Sequence, residues 1–250
     1  MNKVILLKKG EISIKRLILS VFLPATLLLI LYLGALNFRD TLPPLLSWIL
    51  IGIFVLAPFE LYVIRCASKK EFGKYNLKSA FIYNSKIPPR KLLLKAIILF
   101  CIAGTVAIIV GNIETPFMAS TVFKFVPKYF MIEDFLNQTN QYSSAMVLLT
   151  VILYGLANVL VLPVVEELYF RGYLMPRIER FGKFTPIIIT VLFSLYHFWA
   201  PWSNIMRILA ICPYTYSVYK NKNIIIGIIV HCAINIGSSA SLLYAVYGVY

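Results

Sequence analysis

Long apolar stretches dominate the chain, and they constrain its fold more than any other feature. A helix needs about 20 mainly apolar residues to cross the hydrocarbon core of a bilayer. Stretches that reach or approach this length cover residues 17–36, 45–64, 92–110, 145–165, 185–199, 205–219 and 224 onward. Hydrophobic residues make up 60% of the chain and charged residues only 14%, which excludes a disordered chain, a coiled coil and an ordinary soluble enzyme. The sequence therefore predicts an all-α fold, a polytopic membrane helix bundle of about seven transmembrane helices.

The basic residues are distributed unevenly between the connecting segments. The chain has 24 Lys and Arg against 10 Asp and Glu, a formal net charge of +14, and cytoplasmic loops are the ones rich in Lys and Arg. If the spans alternate, one set of connections holds the basic N-terminus, the run 65–91 and the segments 171–183 and 220–222. The other set holds only Arg39, Lys124, Lys128 and Arg207. This asymmetry predicts a cytoplasmic N-terminus.

The same pattern bears on the partners of the chain. Because the basic residues lie beside apolar stretches, they indicate contact with the anionic headgroups of the lipid bilayer. No basic face with interleaved aromatic residues lies outside the spans, so we expect no nucleic-acid partner. The four cysteines lie in or beside apolar stretches without a Cys-x-x-Cys pair, and we interpret them as packing residues.

We treat residues 1–250 as a single integral membrane domain. Residues 1–140 supply the N-terminal spans and loops, and residues 141–250 form the catalytic core. We expect the longest outer loop at residues 112–144. The basic N-terminus resembles a signal peptide, but the apolar stretch after it is too long and lacks a small-x-small cleavage site, so we interpret it as a retained first span.

Three groups of polar residues interrupt the apolar stretches in the last third of the chain. An ionisable residue inside a membrane helix costs about 2.5–3.5 kcal/mol, so such residues usually mark a site. In the first group, Glu167 and Arg171 are four residues apart, the spacing of a helical ion pair. Glu166 points about 100° away from Glu167 and is left free to face a cavity. The alternative is a polar boundary at the end of the fourth span.

The other two groups contain the only histidines of the chain. Phe193 and His197 lie one helical turn apart, and a histidine at that depth needs a polar partner. His231 and Asn235 share one helix face, with Cβ atoms about 5–6 Å apart. Buried Asn and His side chains also hold membrane helices together, and this remains an alternative for the second pair.

Taken together, these motifs resemble those of a known family. The patterns Glu-Glu-x-x-x-Arg, Phe-x-x-x-His and His-x-x-x-Asn, in this order on successive apolar helices, are similar to those of the CPBP family. Its members include the type II CAAX prenyl endopeptidases and bacterial Abi or bacteriocin-processing proteins. The resemblance covers roughly residue 145 to the C-terminus. It implies an intramembrane endopeptidase whose cavity opens toward the cytoplasmic side.

The resemblance also implies roles for individual residues. Glu166 and His197 would activate a water, and His231 and Asn235 would stabilise the oxyanion. The residues expected to orient the site are Glu167, Arg171 and Phe193. A zinc site formed by Glu166, His197 and His231 is the alternative, although the His-Glu-x-x-His signature is absent. We favour water activation without a required metal.

Two further function classes stay open at this point. One is a non-enzymatic membrane immunity or binding protein that retains the fold. The other is a small transporter with a Glu–His proton relay, which predicts inverted repeats that the sequence does not show. For an endopeptidase, the expected substrate is a membrane-associated peptide or protein. The Lys-, Ile- and Asn-rich composition favours a bacterial plasma membrane, where peptide pheromones, bacteriocins or membrane proteins are the expected substrates, over a eukaryotic-type prenylated CAAX protein.

Overall fold

A computed structural model describes residues 10–248 of the chain. These residues are mostly helical, and none of them forms part of a β-strand. The all-α prediction is therefore confirmed over the described part of the chain. The main helices are α1 (Ile14–Ala35), α2 (Pro44–Phe72), α3 (Pro89–Ser120), α4 (Ile132–Gln138), α5 (144–174), α6 (Thr185–Tyr196), α7 (Asn204–Asn221) and α8 (Ile224–Tyr247).

Five helical stretches are long and apolar enough to cross a membrane. The longest, Ser144–Tyr196, contains the fourth predicted span and all of the fifth except its last three residues. A tight helical segment, Met175–Phe184, separates them, and the chain reverses at Gly182, whose φ of 54° is easily adopted only by glycine. The predicted sixth span corresponds to α7, which is not among the five. The prediction of a polytopic membrane bundle is confirmed.

The third helix is longer than the sequence predicts. We expected the span to end near residue 110 and a loop to begin at 112, but α3 continues to Ser120. The reason is a long-range contact of Glu114. Its two carboxylate oxygens accept hydrogen bonds from the backbone N–H groups of Ile205 (2.7 Å) and Met206 (2.6 Å) at the start of α7. The helix can therefore carry a buried acidic residue.

The long helices are arranged around a central space. Contacts between neighbours follow the order α1, α2, α5, α8, α3, α7 and α6, and α6 packs back against α1. The main apolar core lies where α1, α5 and α6 meet, with Val21, Tyr169, Phe170 and Phe193 among its fully buried members. This core supports the segment that carries the glutamates.

Loop contacts define two ends of the bundle. At the end we call the basic end, residues 10–16, 73–88, 175–184 and 220–224 meet. There the N–H of Ile12 donates to the Arg177 carbonyl (3.2 Å), and the N–H of Ile224 donates to the Tyr83 carbonyl (3.0 Å). Tyr83 also donates to the carboxylate of Glu179, and burial, together with that carboxylate, raises the pKa of the Tyr83 hydroxyl above its ordinary value.

The opposite end consists of residues 36–43, 121–143 and 198–203. Two hydrogen bonds of 2.7 Å hold these loops in place: Tyr32 of α1 donates to the Tyr129 carbonyl, and Tyr142 donates to the Arg39 carbonyl. The predicted outer loop is thus folded: it contains α4 and lies over the helix ends.

Candidate active site

One face of α5 lines a large cavity between the helices. Tyr154, Asn158, Leu162 and Glu166 follow each other at intervals of four residues, and all four border this cavity. Its volume is about 870 Å³, within the range of sites that bind small ligands or peptide segments. Of the four residues, Glu166 lies farthest along α5 from the opposite end of the bundle. Its side chain is 11% exposed. The carboxylate therefore has access to the cavity.

The helix is locally widened just before the glutamates. The N–H of Leu162 bonds to the carbonyl of Ala157, five residues back, so the next donor in the same pattern would be residue 163. That residue is Pro163, which has no N–H. The carbonyl of Asn158 consequently lacks this partner, and it accepts a hydrogen bond from Asn235 Nδ2 instead (2.8 Å).

Glu167 and Arg171 form the ion pair that their spacing predicts. Arg171 Nη1 lies 3.0 Å from Glu167 Oε1, and both side chains are fully buried. Tyr214 donates to the same carboxylate oxygen (3.2 Å). The Arg171 guanidinium lies over the Phe193 ring, 4.3 Å from its centre. These contacts fix the helix segment on which Glu166 is placed.

His197 lies immediately after α6 and borders the cavity. Its Nδ1 is 2.8 Å from the backbone carbonyl of Phe193. Because a carbonyl oxygen only accepts, Nδ1 must carry the proton, and Nε2 of the neutral ring then has a free lone pair. Nε2 lies 3.9 Å from Glu166 Oε1. The ring is therefore oriented as a proton acceptor next to Glu166.

His231 connects the two glutamates. Its Nδ1 lies 3.0 Å from Glu167 Oε1, and its Nε2 lies 3.9 Å from Glu166 Oε2. A carboxylate only accepts, so Nδ1 donates to Glu167. When the ring carries both protons, its Nε2–H is directed at Glu166 and the cavity. The Glu167–Arg171 pair thus orients a second imidazole as well as bracing α5.

Glu166, His197 and His231 converge as the sequence predicts. The two distances of 3.9 Å from the Glu166 carboxylate to the imidazoles exceed the usual length of a direct hydrogen bond. Such a gap is suited to a water molecule or a carbonyl oxygen that bridges the groups. One carboxylate and two imidazoles therefore share one small polar region at the floor of an otherwise mainly apolar cavity.

Asn235 borders the cavity, but its contacts differ from those expected of an oxyanion donor. Its Nδ2 donates to the Asn158 carbonyl, and no hydrogen bond within residues 10–248 links it to Glu166 or either histidine. Asn158 Nδ2 in turn donates to Ser238 Oγ (3.0 Å) and Ser239 Oγ (3.1 Å). The alternative of a contact between helices thus accounts for the observed partners of Asn235.

Three polar residues near the site were not singled out by the sequence. Asn158 lies eight residues before Glu166, and this i, i+4, i+8 spacing could have revealed it. Glu60 is fully buried in α2 and accepts a hydrogen bond from the Tyr196 hydroxyl (3.1 Å). Arg207, which we counted as an outer loop cation, borders the cavity and donates to the carbonyl of Ala200 (3.3 Å). Only these contacts in the folded protein distinguish Arg207 from an exposed loop residue.

A metal would have to use the same three side chains. Glu166, His197 and His231 each present an oxygen or Nε2 to the shared region, and the His231 Nδ1–Glu167 contact is of the kind that supports a metal-bound histidine. Within the described residues, however, no group of three His, Cys, Asp or Glu is spaced to hold a metal ion. Both the zinc alternative and the metal-independent reaction stay predictions.

Comparison with known families supports the motif interpretation. Residues 147–237 match the family model for the type II CAAX prenyl endopeptidases described as Rce1-like. The matched segment covers little more than a third of the chain. It contains all three motifs, so the recognition of a CPBP-type chain is confirmed. Comparisons with curated proteins and with solved structures gave no match.

The matched family indicates a general class of activity. The family implies a hydrolase of the protease class, and it supports CAAX-type intramembrane endopeptidase activity in general. Together with the apolar helices it makes the chain a multi-pass membrane protein with a lipid environment.

Proposed function

We propose that this protein hydrolyses a peptide bond of a membrane-associated peptide or protein, with Glu166 and His197 activating the attacking water. The observation that carries the proposal is the convergence of Glu166, His197 and His231 within a cavity wide enough for a peptide segment. The site is on an Rce1-like domain, whose family is one of proteases. The proposed location is a bacterial plasma membrane.

In the first step, the water oxygen bonds to the carbonyl carbon of the scissile peptide bond. The proton of the water passes to the Glu166 carboxylate, and His197 Nε2 is close enough to share it through the bridging position. General base assistance of this kind contributes about 10²–10⁴-fold to the rate. The carbonyl oxygen becomes an oxyanion.

We assign the stabilisation of that oxyanion mainly to His231. Its Nδ1 is held by Glu167, so a His231 ring that carries both protons presents its Nε2–H as a fixed donor at the cavity floor. Preorganised donors are effective because they need no reorientation as the charge develops. The C–N bond then breaks while Glu166 and His197 return the proton to the amide nitrogen. The products are a carboxylate and an amine.

We treat Asn235 as a positioning residue in this mechanism. Its Nδ2 holds α8 against α5 through the Asn158 carbonyl, and this contact lies one turn beyond His231 on the same helix face. The second N–H of its amide leaves a supporting role in oxyanion binding open to test. No step of the mechanism requires a metal.

The substitution Glu166→Gln tests the proposal. It keeps the size and the hydrogen-bonding shape of the side chain but removes the base, so we expect peptide cleavage to fall by at least about 10²-fold at an unchanged protein level. The measurement compares the membrane peptidomes of cells that express either form. Glu133→Gln, at an exposed position of α4, is the matched control and should behave as the wild type. If Glu166→Gln leaves all cleavage products in place, the chain is not a hydrolase of this kind, and the immunity or binding alternative is favoured.

A further inference from the structure

We propose that the cavity receives its substrate from the non-cytoplasmic side of the membrane, as an extended peptide segment with apolar side chains. This inference rests on the proposed function of the same site and adds the side of entry and the chemical class of the substrate. It follows from the direction in which the cavity runs, the charge at the two ends of the bundle, and the chemistry of the cavity wall.

The cavity lies entirely toward the opposite end of the bundle. On α2 it is bordered by Leu45, Trp48, Gly52 and Leu56, which belong to the first half of that helix. On α8, conversely, it is bordered only by His231 and residues that follow it. Because α2 begins and α8 finishes at the opposite end, both helices place the cavity in the same half of the bundle. The connection that carries α4 contributes Tyr129 and Phe135 to its wall.

The basic end of the bundle is closed below the catalytic groups. The Glu167–Arg171 pair is fully buried there, and the close contact of Gly172 with the Ala80 carbonyl leaves no space between α5 and segment 73–88. Arg177 is also buried and donates to the Tyr173 carbonyl (2.5 Å). A substrate therefore has no described route to Glu166 from the basic end.

Charge identifies the basic end as the cytoplasmic one. Cationic residues that the structure places there are Lys15, Arg16, Lys69, Lys70, Lys74, Lys78, Lys86, Arg90, Lys91, Arg177, Arg180, Lys183, Lys220 and Lys222. The exposed cations of the opposite end are Arg39, Lys124 and Lys128. The difference in exposed positive charge between the two ends is larger in the structure than in the sequence. The reason is that Arg207, the remaining outer cation of the sequence, lies in the cavity wall. By the positive-inside rule, the opposite end faces away from the cytoplasm.

Two expectations from the sequence thus conflict. The charge distribution predicts a cytoplasmic N-terminus, whereas the family resemblance implies a cavity open to the cytoplasm. Since the cavity runs away from the end that holds Ile12 and the start of α1, both cannot be true. We follow the charge distribution because it is a property of this chain.

The wall of the cavity indicates what kind of segment it accepts. Next to His197, Trp199 packs against Trp48 with ring centres 4.7 Å apart, and Trp48 packs against Tyr32 (4.9 Å). Tyr32 packs in turn against Phe130 of the overlying connection (5.2 Å). This aromatic wall runs from the catalytic histidine toward the opposite end and favours apolar side chains. A peptide must be extended to present its backbone to Glu166 within such a space.

Thiol labelling tests the side of entry without relying on cleavage. In a chain whose four native cysteines are replaced by alanine, Ser241→Cys places a thiol on the cavity wall. Lys124→Cys marks the opposite end and Ser85→Cys marks the basic end, both at exposed positions. With a membrane-impermeant maleimide on intact cells, we expect labelling at 241 and 124, and labelling at 85 only after permeabilisation. Labelling at 85 in intact cells, with 241 and 124 protected, would overturn the inference.

A second measurement uses the unmodified chain. Apolar test peptides are added to sealed membrane vesicles of right-side-out or inverted orientation, with Glu166→Gln vesicles as the blank. Cleavage in the right-side-out vesicles alone supports the inference. Cleavage in the inverted vesicles alone overturns it but leaves the proposed hydrolase intact. Cleavage that persists in the Glu166→Gln vesicles contradicts the proposed function, whichever vesicle orientation shows it. In that case the thiol labelling alone tests the direction in which the cavity opens.

Discussion

The two adjacent glutamates have different environments although they are neighbours in the sequence. Glu167 is enclosed by Arg171, Tyr214 and His231, whereas Glu166 faces the cavity. Helix geometry alone separates their directions by about 100°, and the ion pair fixes which of them is buried. One glutamate can therefore be structural while the other stays free for chemistry.

The buried ion pair makes a prediction about stability. Arg171→Met removes the positive partner and leaves the Glu167 carboxylate buried without it, which we expect to destabilise the protein by about 3–5 kcal/mol. Thermal unfolding of the purified protein in detergent measures the change. The double variant Arg171→Met with Glu167→Gln should recover a large part of the lost stability. A single variant as stable as the wild type would contradict the structural role.

Asn235→Ala separates a positioning role from an oxyanion role. If Asn235 mainly holds α8 against α5, the variant should lower the unfolding temperature and the cleavage rate together, because the Asn158 carbonyl loses its donor. Unfolding temperature, kcat and KM are measured on the same preparation. A loss of about 10²–10³-fold in kcat at an unchanged unfolding temperature would instead show an oxyanion donor.

At the scale of elements, the close approach of α8 to α5 depends on a glycine. A Cβ at Gly227 would overlap the Glu167 carboxylate, so α8 can reach α5 only with glycine at this point. The contact brings His231, one turn later on α8, to within hydrogen-bonding distance of Glu167. Gly227, which lies outside the His-x-x-x-Asn motif, thus determines how close His231 of that motif comes to Glu167.

Gly227→Ala should therefore impair both packing and catalysis. We expect a lower unfolding temperature and a marked loss of cleavage, because Glu167 must move and His231 loses its orientation. Gly155→Ala on α5 is the matched control, since a Cβ there would meet no atom within 4 Å, and it should be neutral or slightly stabilising. Equal behaviour of the two variants would contradict the proposed role of the contact.

The sequence predicted the elements better than their ends. Apolar stretches located the helices because burial in a bilayer is a property of each segment. The predicted end of α3 was wrong because the Glu114 carboxylate accepts hydrogen bonds from N–H groups 91 and 92 residues away. No local sequence pattern encodes such a contact. For the same reason, the fold of residues 121–143 over the helix ends was not predicted.

For the whole molecule, the resemblance of the three motifs to those of the CPBP family implied that Glu166, His197 and His231 would meet in one region. The pairing of Glu167 with Arg171 followed from an i, i+4 spacing. The direction of the cavity was not predictable in this way. It depends on the end at which the helices separate, and hence on contacts such as those of Gly172 and Gly227.

The central claim is that Glu166 and His197 act on one water as a unit. Residues that act as a unit are not additive, so removing the second should cost little once the first is gone. The most direct measurement is a double-mutant cycle of peptide cleavage with Glu166→Gln, His197→Ala and the double variant. We predict that the double variant cleaves no more slowly than the slower single variant. Losses that multiply, as for two independent residues, would contradict the claim.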